Sequence, residues 1–169
     1  GYSTGLDAIL KMAMDYILGT LILLVISPVM VALFLIIWLT GKKPIIEGFE
    51  VFGKNGRIFR TLKFQSGLTH ATGYRSFQKG GKLDADQDRL SPIEEFLFRT
   101  ALDKLPQLLN VIAGNMSLVG PRVVPRGSAG RYDQWLPGLL AVKPGMTGTW
   151  AFSETWDLEQ EISLTLYYV

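Results

Sequence analysis

Three short segments set side chains that can do chemistry on fixed backbone: Gly120-Pro121-Arg122, Lys143-Pro144-Gly145 and Thr147-Gly148-Thr149-Trp150. Glycine and proline define turns, and a turn that holds an Arg or a Lys in place can bind phosphate without a P-loop. Either tripeptide alone is ordinary turn sequence; their company with the apolar run described below is what points to phosphate. Other chemistries are closed. Cysteine is absent, which excludes disulfides, thiolate metal sites and a cysteine nucleophile. His70 is the only histidine, which excludes a multi-histidine zinc site and a His–His relay, and it reads as a surface or turn residue.

Charge is spread unevenly. The formal net charge is +2, yet residues 41–70 hold six basic and two acidic side chains, residues 106–150 sum to +3, and the last nineteen sum to −4. Basic segments suit nucleic acid, but no DNA- or RNA-binding motif is present and nucleic acid does not explain the apolar run. Anionic lipid headgroups or nucleotide phosphates fit both features.

The elements that must position these residues begin with a membrane segment. Tyr16 to Thr40 are twenty-five consecutive positions without a charge, interrupted by Ser27-Pro28. As a helix this run measures roughly 37 Å, enough for a hydrocarbon core of about 30 Å. Pro28 removes a backbone donor and predicts a kink, and the Ser27 hydroxyl can bond a carbonyl one turn earlier. A straight span, a kinked span and a re-entrant hairpin all satisfy these facts. Lys42, Lys43, Lys54, Arg57, Arg60 and Lys63 place the following side toward the cytoplasm. Asp7, Lys11 and Asp15 do not fix the other side. The segment is too long and too late for a signal peptide.

About 129 residues then remain for one small domain. Asn55-Gly56 between two β-rich runs predicts a hairpin with strands near 45–52 and 57–63. Residues 67–90 read as a polar loop with short helical pieces. Ser91-Pro92-Ile93-Glu94 forms a capping box, after which Ile93, Phe96, Leu97 and Ala101 share one helix face toward Pro106. Residues 107–112 are expected to be helical up to Gly114-Asn115. Both helices are apolar enough to lie on the membrane surface or to pack within the domain.

Read together, the ordered blocks resemble the bacterial sugar transferases, the monotopic phosphoglycosyl transferases that begin glycan assembly on polyprenyl phosphate. The blocks are Lys11 with Asp15; Ser27-Pro28; Pro44, Glu50 and Gly53; Phe59-Arg60 and Lys63-Phe64; and Leu102-Asp103 with 105–111, the strongest part. Residues 116–122, Lys143-Pro144-Gly145 with Thr147-Gly148, and 166–169 complete the series. The resemblance implies an α/β, mostly helical monotopic membrane protein: a re-entrant helix bent at Ser27-Pro28, a small β-hairpin and amphipathic surface helices. Residues 1–43 would form the membrane-embedded part with its N-terminal flank, and 44–169 the catalytic domain on the cytoplasmic face of the bacterial inner membrane.

It also implies a reaction. Asp103 attacks the β-phosphorus of a UDP-sugar, UMP leaves, and polyprenyl phosphate takes the phosphosugar from the enzyme, with Mg²⁺ near Asp103. Lys63, Arg122 and Lys143 are the first phosphate cations; Arg60, Arg99, Lys104 and Arg126 follow, Pro121 shapes a turn, and Glu50 orients a cation. The partners implied are a UDP-sugar, polyprenyl phosphate and the bilayer, with a homodimer or other glycan-assembly enzymes left open. Family members continue past the positions matched by Tyr168-Val169, so a further C-terminal element, or a longer membrane protein carrying this portion, is expected.

The pattern is broken at the chemistry. The residue after the family aspartate is ordinarily glutamate and here is Lys104. An arginine five positions earlier is replaced by Phe98, with Arg99 beside it. Asn115 stands for an acidic residue, Val123 for the second proline of Gly-Pro-Arg-Pro, and Ser153-Glu154-Thr155 for Ser-Gly-Arg. Three readings follow: transfer at an altered site, a catalytically silent homologue that binds nucleotide sugar or lipid phosphate as another transferase's partner, or a purely structural anchor with neither binding nor turnover.

Overall fold

The computed structural model describes residues 5–41, 44–65, 92–152 and 162–163. Lys42, Lys43, His70, the 67–90 loop, Ser91 of the capping box, Ser153-Glu154-Thr155 and 166–169 lie outside them. The described elements are mostly helical, with two small sheets and one long apolar helix near the N-terminus. The chain divides into two compact units: one of 1–26, 49–61 and 107–169, the other of 27–48 and 62–106.

Helix α1, Gly5–Leu39, is assigned without interruption through Pro28, and the two units part between Ile26 and Ser27. It is long and apolar enough to cross a membrane. Its buried positions are Asp15, Gly19, Leu33 and Ile37, with Leu23, Ile26, Ser27 and Met30 half-buried. That spacing of three and four is a single stripe. The remaining faces expose Leu21, Leu24, Val25, Val29, Val31, Leu35, Trp38 and Leu39.

Strands β1, Ile46–Phe52, and β2, Ile58–Phe64, form the expected hairpin. Asn55 (φ 58°) and Gly56 (φ 75°) both take the positive φ that a type I′ turn demands, which is why Asn-Gly was legible. The Gly53 amide donates to the Arg57 carbonyl and the Gln65 amide to the Ile45 carbonyl, at 2.7 and 2.9 Å. A third strand, β4 (Val124–Pro125), joins β1 antiparallel through Val51–Pro125 and Phe52–Val124, an addition the sequence did not suggest. Pro125 lacks an amide hydrogen and so suits this edge.

Within the first unit, α3 (Gln107–Ile112) ends at Gly114, whose φ of 78° is the left-handed stop expected of it. Strands β3 (Ser117–Val119) and β5 (Gly145–Thr147) pair in parallel, in register Ser117–Gly145 and Val119–Thr147. Val124, Tyr132, Leu139 and Ile162 form a core cluster under Phe52, Trp135 and Leu136. The short helix α4, Leu136–Leu139, contributes Leu139, and the Asn55 amide donates to the Leu140 carbonyl after it, at 2.7 Å.

Within the second unit, α2 spans Pro92–Arg99 with Pro92 at its start, and ends earlier than expected. The Thr100 hydroxyl and amide both bond the Phe96 carbonyl, and Ala101 turns left-handed at φ 54°. Ala101 therefore lies outside the helix face assigned to it. Leu97 is fully buried while Phe96 is half exposed, so only part of the expected apolar face packs. Beyond Ala101 a single 3₁₀ turn, Leu102–Lys104, leads to buried Leu105 and Pro106.

Candidate functional site

Asp103 is the centre of this turn. Its side chain is buried, only 4% of the residue remaining exposed. Lys63 of β2 approaches it, Nζ to Oδ2 3.9 Å, at the outer edge of an ion pair. The other oxygen, Oδ1, is buried with no hydrogen-bond partner. A buried acceptor left unmet costs on the order of 1–3 kcal/mol. A non-glycine residue held left-handed costs about 1–2 kcal/mol, and Ala101 is two positions away. Strain and an unmet oxygen at one turn are what a reactive site accumulates.

The electrostatics agree. Burial raises the Asp103 carboxyl above the usual carboxylate range, opposed by Lys63, by Lys104 and by backbone amides of the turn. Burial likewise lowers the Lys63 ammonium, opposed by Asp103 and by Glu47 of β1. Each group is held toward neutrality by desolvation and toward charge by the other. Lys104, half-buried, adds positive potential to Asp103 and works against the charged form of Lys63.

Among the described residues no three carboxylate or histidine side chains gather as a metal cage. Mg²⁺ commonly takes only one or two carboxylates, with water and substrate phosphate completing its shell. Asp103 Oδ1, a buried oxygen without a donor, fits the role of one such ligand.

In the first unit, the turns singled out in the sequence meet one another. The Gly120 amide donates to the Thr147 carbonyl (2.9 Å), the Gly145 amide to the Pro121 carbonyl (2.8 Å), and Trp150 Nε1 to the Gly120 carbonyl (3.2 Å). A Cβ on Gly120 would stand 2.8 Å from the Lys143 carbonyl oxygen; one on Gly145 would run into the Gly120 nitrogen, and one on Gly148 into the Gly120 oxygen. These glycines allow two backbones to touch, a structural reason for them that the turn reading lacked. Pro121 is buried in the crossing. Arg122 lies over the Trp150 ring, 5.8 Å from its centroid, and Lys143 Nζ reaches toward Gly114.

The remaining candidates are placed as follows. Arg126 pairs with Glu50 (3.0 Å), the partnership proposed for Glu50, in an exposed position. Arg99 pairs with Glu95 one turn back (2.7 Å), also exposed. Arg60 is exposed, and its carbonyl accepts from Asn110 Nδ2 at 2.8 Å. Ser27 and Pro28 lie inside α1. The structure thus brings Lys63, Asp103 and Lys104 together in one unit, and Arg122 and Lys143 onto the glycine crossing in the other.

A second Lys–Asp pair, named from sequence only as a family block and given no role there, is also built. Lys11 Nζ lies 3.3 and 3.4 Å from the Asp15 oxygens and donates to Ser117 Oγ at 2.8 Å. Ser117 Oγ stands 2.7 Å from Asp15 Oδ2 and 2.9 Å from the Val119 carbonyl, its two acceptors, while the Leu118 amide donates to Asp15 Oδ1 at 3.1 Å. The signal was the i, i+4 spacing of opposite charges at the edge of an apolar run. Glu47 was missed.

A family model described as bacterial sugar transferase matches residues 6–169. The chain belongs to the bacterial sugar transferase family. It is 36% identical over 157 residues to an uncharacterized sugar transferase of Haemophilus influenzae, covering 86% of this chain and 33% of that protein. It is 33% identical over 185 residues to the UDP-glucose:undecaprenyl-phosphate glucose-1-phosphate transferase of Escherichia coli, covering 98% and 37%. It is 29% identical over 178 residues to the exopolysaccharide production protein ExoY of Sinorhizobium fredii, covering 97% and 78%. The chain thus spans about a third of the length of the first two relatives and over three quarters of ExoY.

Proposed function

We propose that this sugar transferase moves a phosphosugar from a UDP-sugar to polyprenyl phosphate, through a covalent intermediate on Asp103. The observation that carries the reading is the Asp103 turn: a buried carboxylate with one oxygen unmet and a lysine held 3.9 Å from the other. An Asp103 oxygen attacks the β-phosphorus, the bond from that phosphorus to the bridging oxygen breaks, and UMP departs with the bonding pair. A phosphate oxygen of the lipid then attacks the same phosphorus. The Asp103 carboxylate is released, and the lipid carries a diphosphate-linked sugar. Cations must screen the phosphate for an anion to attack it. Lys63 and Lys104 do so beside Asp103. Mg²⁺, held by Asp103 Oδ1, would supply further charge neutralisation on the phosphates.

The substrate classes are supported by the name of the Escherichia coli relative and by the ordered blocks shared with the family. The apolar faces of α1 support a membrane location, since water-soluble proteins seldom expose so wide an apolar surface. We place α1 as a re-entrant helix bent at Ser27-Pro28 and the catalytic residues on the cytoplasmic face of the inner membrane, where the basic 41–70 segment favours them.

The test is UMP release from a panel of UDP-sugars by protein in detergent with undecaprenyl phosphate and Mg²⁺, comparing wild type with Asp103→Asn. Release that depends on Asp103 supports transfer. Folded protein that binds a UDP-sugar yet releases no UMP, even as Lys104→Glu, supports the silent homologue instead, the reading that Lys104 in the dyad position favours.

A further inference from the structure

Tyr16 is a polar side chain to which the transfer reaction gives no role, and it stands beside Lys143. The Tyr16 hydroxyl and the Lys143 ammonium converge on Gly114: a Cβ there would stand 2.5 Å from the Tyr16 oxygen and 3.8 Å from Lys143 Nζ. Both groups belong to the same compact unit. Among the described residues neither has a hydrogen-bond or ion-pair partner. The floor beneath them is fixed. Asp15, next to Tyr16, is bonded by the Ser117 hydroxyl and the Leu118 amide, and Gly19, one turn on, sits against Val111, where a Cβ would stand 3.2 Å from the Val111 Cγ1. Glycine suits position 114 twice, for its positive φ and for the space the Tyr16 hydroxyl occupies.

Position decides the class of ligand. Tyr16 opens the uncharged run and is 38% exposed, with Ile17, Leu18 and Leu21 exposed just beyond it. Tyrosine at such a point marks the boundary between headgroups and hydrocarbon. A lysine ammonium and a phenolic donor side by side suit an anionic oxygen cluster. An anion whose tail then meets Ile17, Leu18 and Leu21 is a phosphate carried on a hydrocarbon chain.

We propose that Tyr16 and Lys143 grip the phosphate of a membrane lipid at the head of α1. That the lipid is the polyprenyl phosphate acceptor rests on the transferase reading; the grip itself does not. Lys143 is set at the C-terminal end of α3, where a cation can also steady the helix dipole. It makes no hydrogen bond to that helix among the described residues. A purely structural lysine there would change stability and leave lipid binding alone.

The experiment uses the whole chain in phosphatidylcholine nanodiscs doped with undecaprenyl phosphate or with phosphatidylglycerol, reading bound lipid by native mass spectrometry. Lys143→Met weakens binding about tenfold and Tyr16→Phe about threefold, while Lys143→Arg restores it at an unchanged melting temperature. Loss confined to undecaprenyl phosphate assigns the grip to the acceptor; equal loss of both lipids assigns it to a phospholipid headgroup. Unchanged binding of both lipids by folded Lys143→Met and Tyr16→Phe protein overturns the proposal. If the wild type releases no UMP and Lys143 still governs lipid binding, the transferase reading fails and the grip stands.

Discussion

Two Lys–Asp pairs in this chain are built to opposite ends. At Lys11–Asp15, Asp15 Oδ1 accepts from the Leu118 amide, Oδ2 from Ser117, and Lys11 bonds Ser117 as well. At Lys63–Asp103 the pair is stretched to 3.9 Å, one carboxylate oxygen has no donor, and the backbone two residues away is strained. Both aspartates are buried to a similar degree, 8% and 4% exposed. Burial alone therefore does not distinguish them; satisfaction does. A carboxylate with every lone pair engaged fastens α1 to β3. One with an oxygen to spare has a nucleophile, or a ligand, to offer.

The comparison is tested hardest by removing one charge from each pair. Asp103→Asn should abolish UMP release, a fall of at least about 10³-fold, because no neighbour can replace the proposed nucleophile. Its stability should change by less than about 1 kcal/mol, since the exchange breaks no short hydrogen bond and keeps an amide oxygen toward Lys63 Nζ, which leucine would not. Asp15→Ala should do the reverse. It strands the Leu118 amide and a half-buried Lys11, and should cost about 2–4 kcal/mol in denaturant unfolding while molecules that remain folded still release UMP. If Asp103→Asn unfolds the protein as readily as Asp15→Ala, the two pairs are not different in kind.

A smaller effect separates the members of the Asp103 pair. Asp103→Leu alone removes a negative charge 3.9 Å from the buried Lys63 and should lower the melting temperature. The double variant Lys63→Met with Asp103→Leu should recover it, to wild type or about 1 kcal/mol above, because both desolvated charges are gone. Equal melting temperatures for the single and double variants would show that burial does not strain this pair.

The subtlest expected effect is on pH. The proposed transfer needs Asp103 ionised and Lys63 charged. The raised carboxyl moves the acid limb of kcat/KM above the usual carboxylate range, and the lowered ammonium moves the alkaline limb below the usual lysine range, giving a narrowed bell. For stability the signs oppose function. The raised Asp103 contributes stability that is complete below the ordinary carboxylate range and lost as pH rises through its folded value. The lowered Lys63 contributes stability above the ordinary lysine range, lost as pH falls through its folded value. Between these limits both charges are carried at a cost, and the double Met and Leu variant should show a flatter stability profile there.

Local signals were the legible part of this fold. Asn55-Gly56 announced the hairpin because only a few residues tolerate positive φ, and Gly114 announced the end of α3 for the same reason. The long apolar helix was visible in its missing charges. What stayed hidden was long-range. Nothing near Val124-Pro125 says that it will edge β1, and nothing in Gly120, Gly145 or Gly148 taken singly says that their backbones will touch. The early end of α2 was hidden too, because Ala101 is a good helix former placed left-handed by its surroundings. Asp103 was reached through family resemblance rather than through any local pattern, and the structure supplies the physical reason to single it out. Asp15 carried the same residue type and a clearer charge spacing, and only geometry reveals that it is fully engaged.

The most direct test of the account is to trap the intermediate. Protein in detergent is mixed with UDP-sugar labelled at the β-phosphorus, without lipid acceptor, and the labelled peptide is identified. The account predicts one phosphosugar per chain on the peptide containing Asp103, discharged by undecaprenyl phosphate and absent from Asp103→Asn but present in folded Asp15→Ala. UMP release by the wild type with no label on the protein, or with label on another residue, would contradict it.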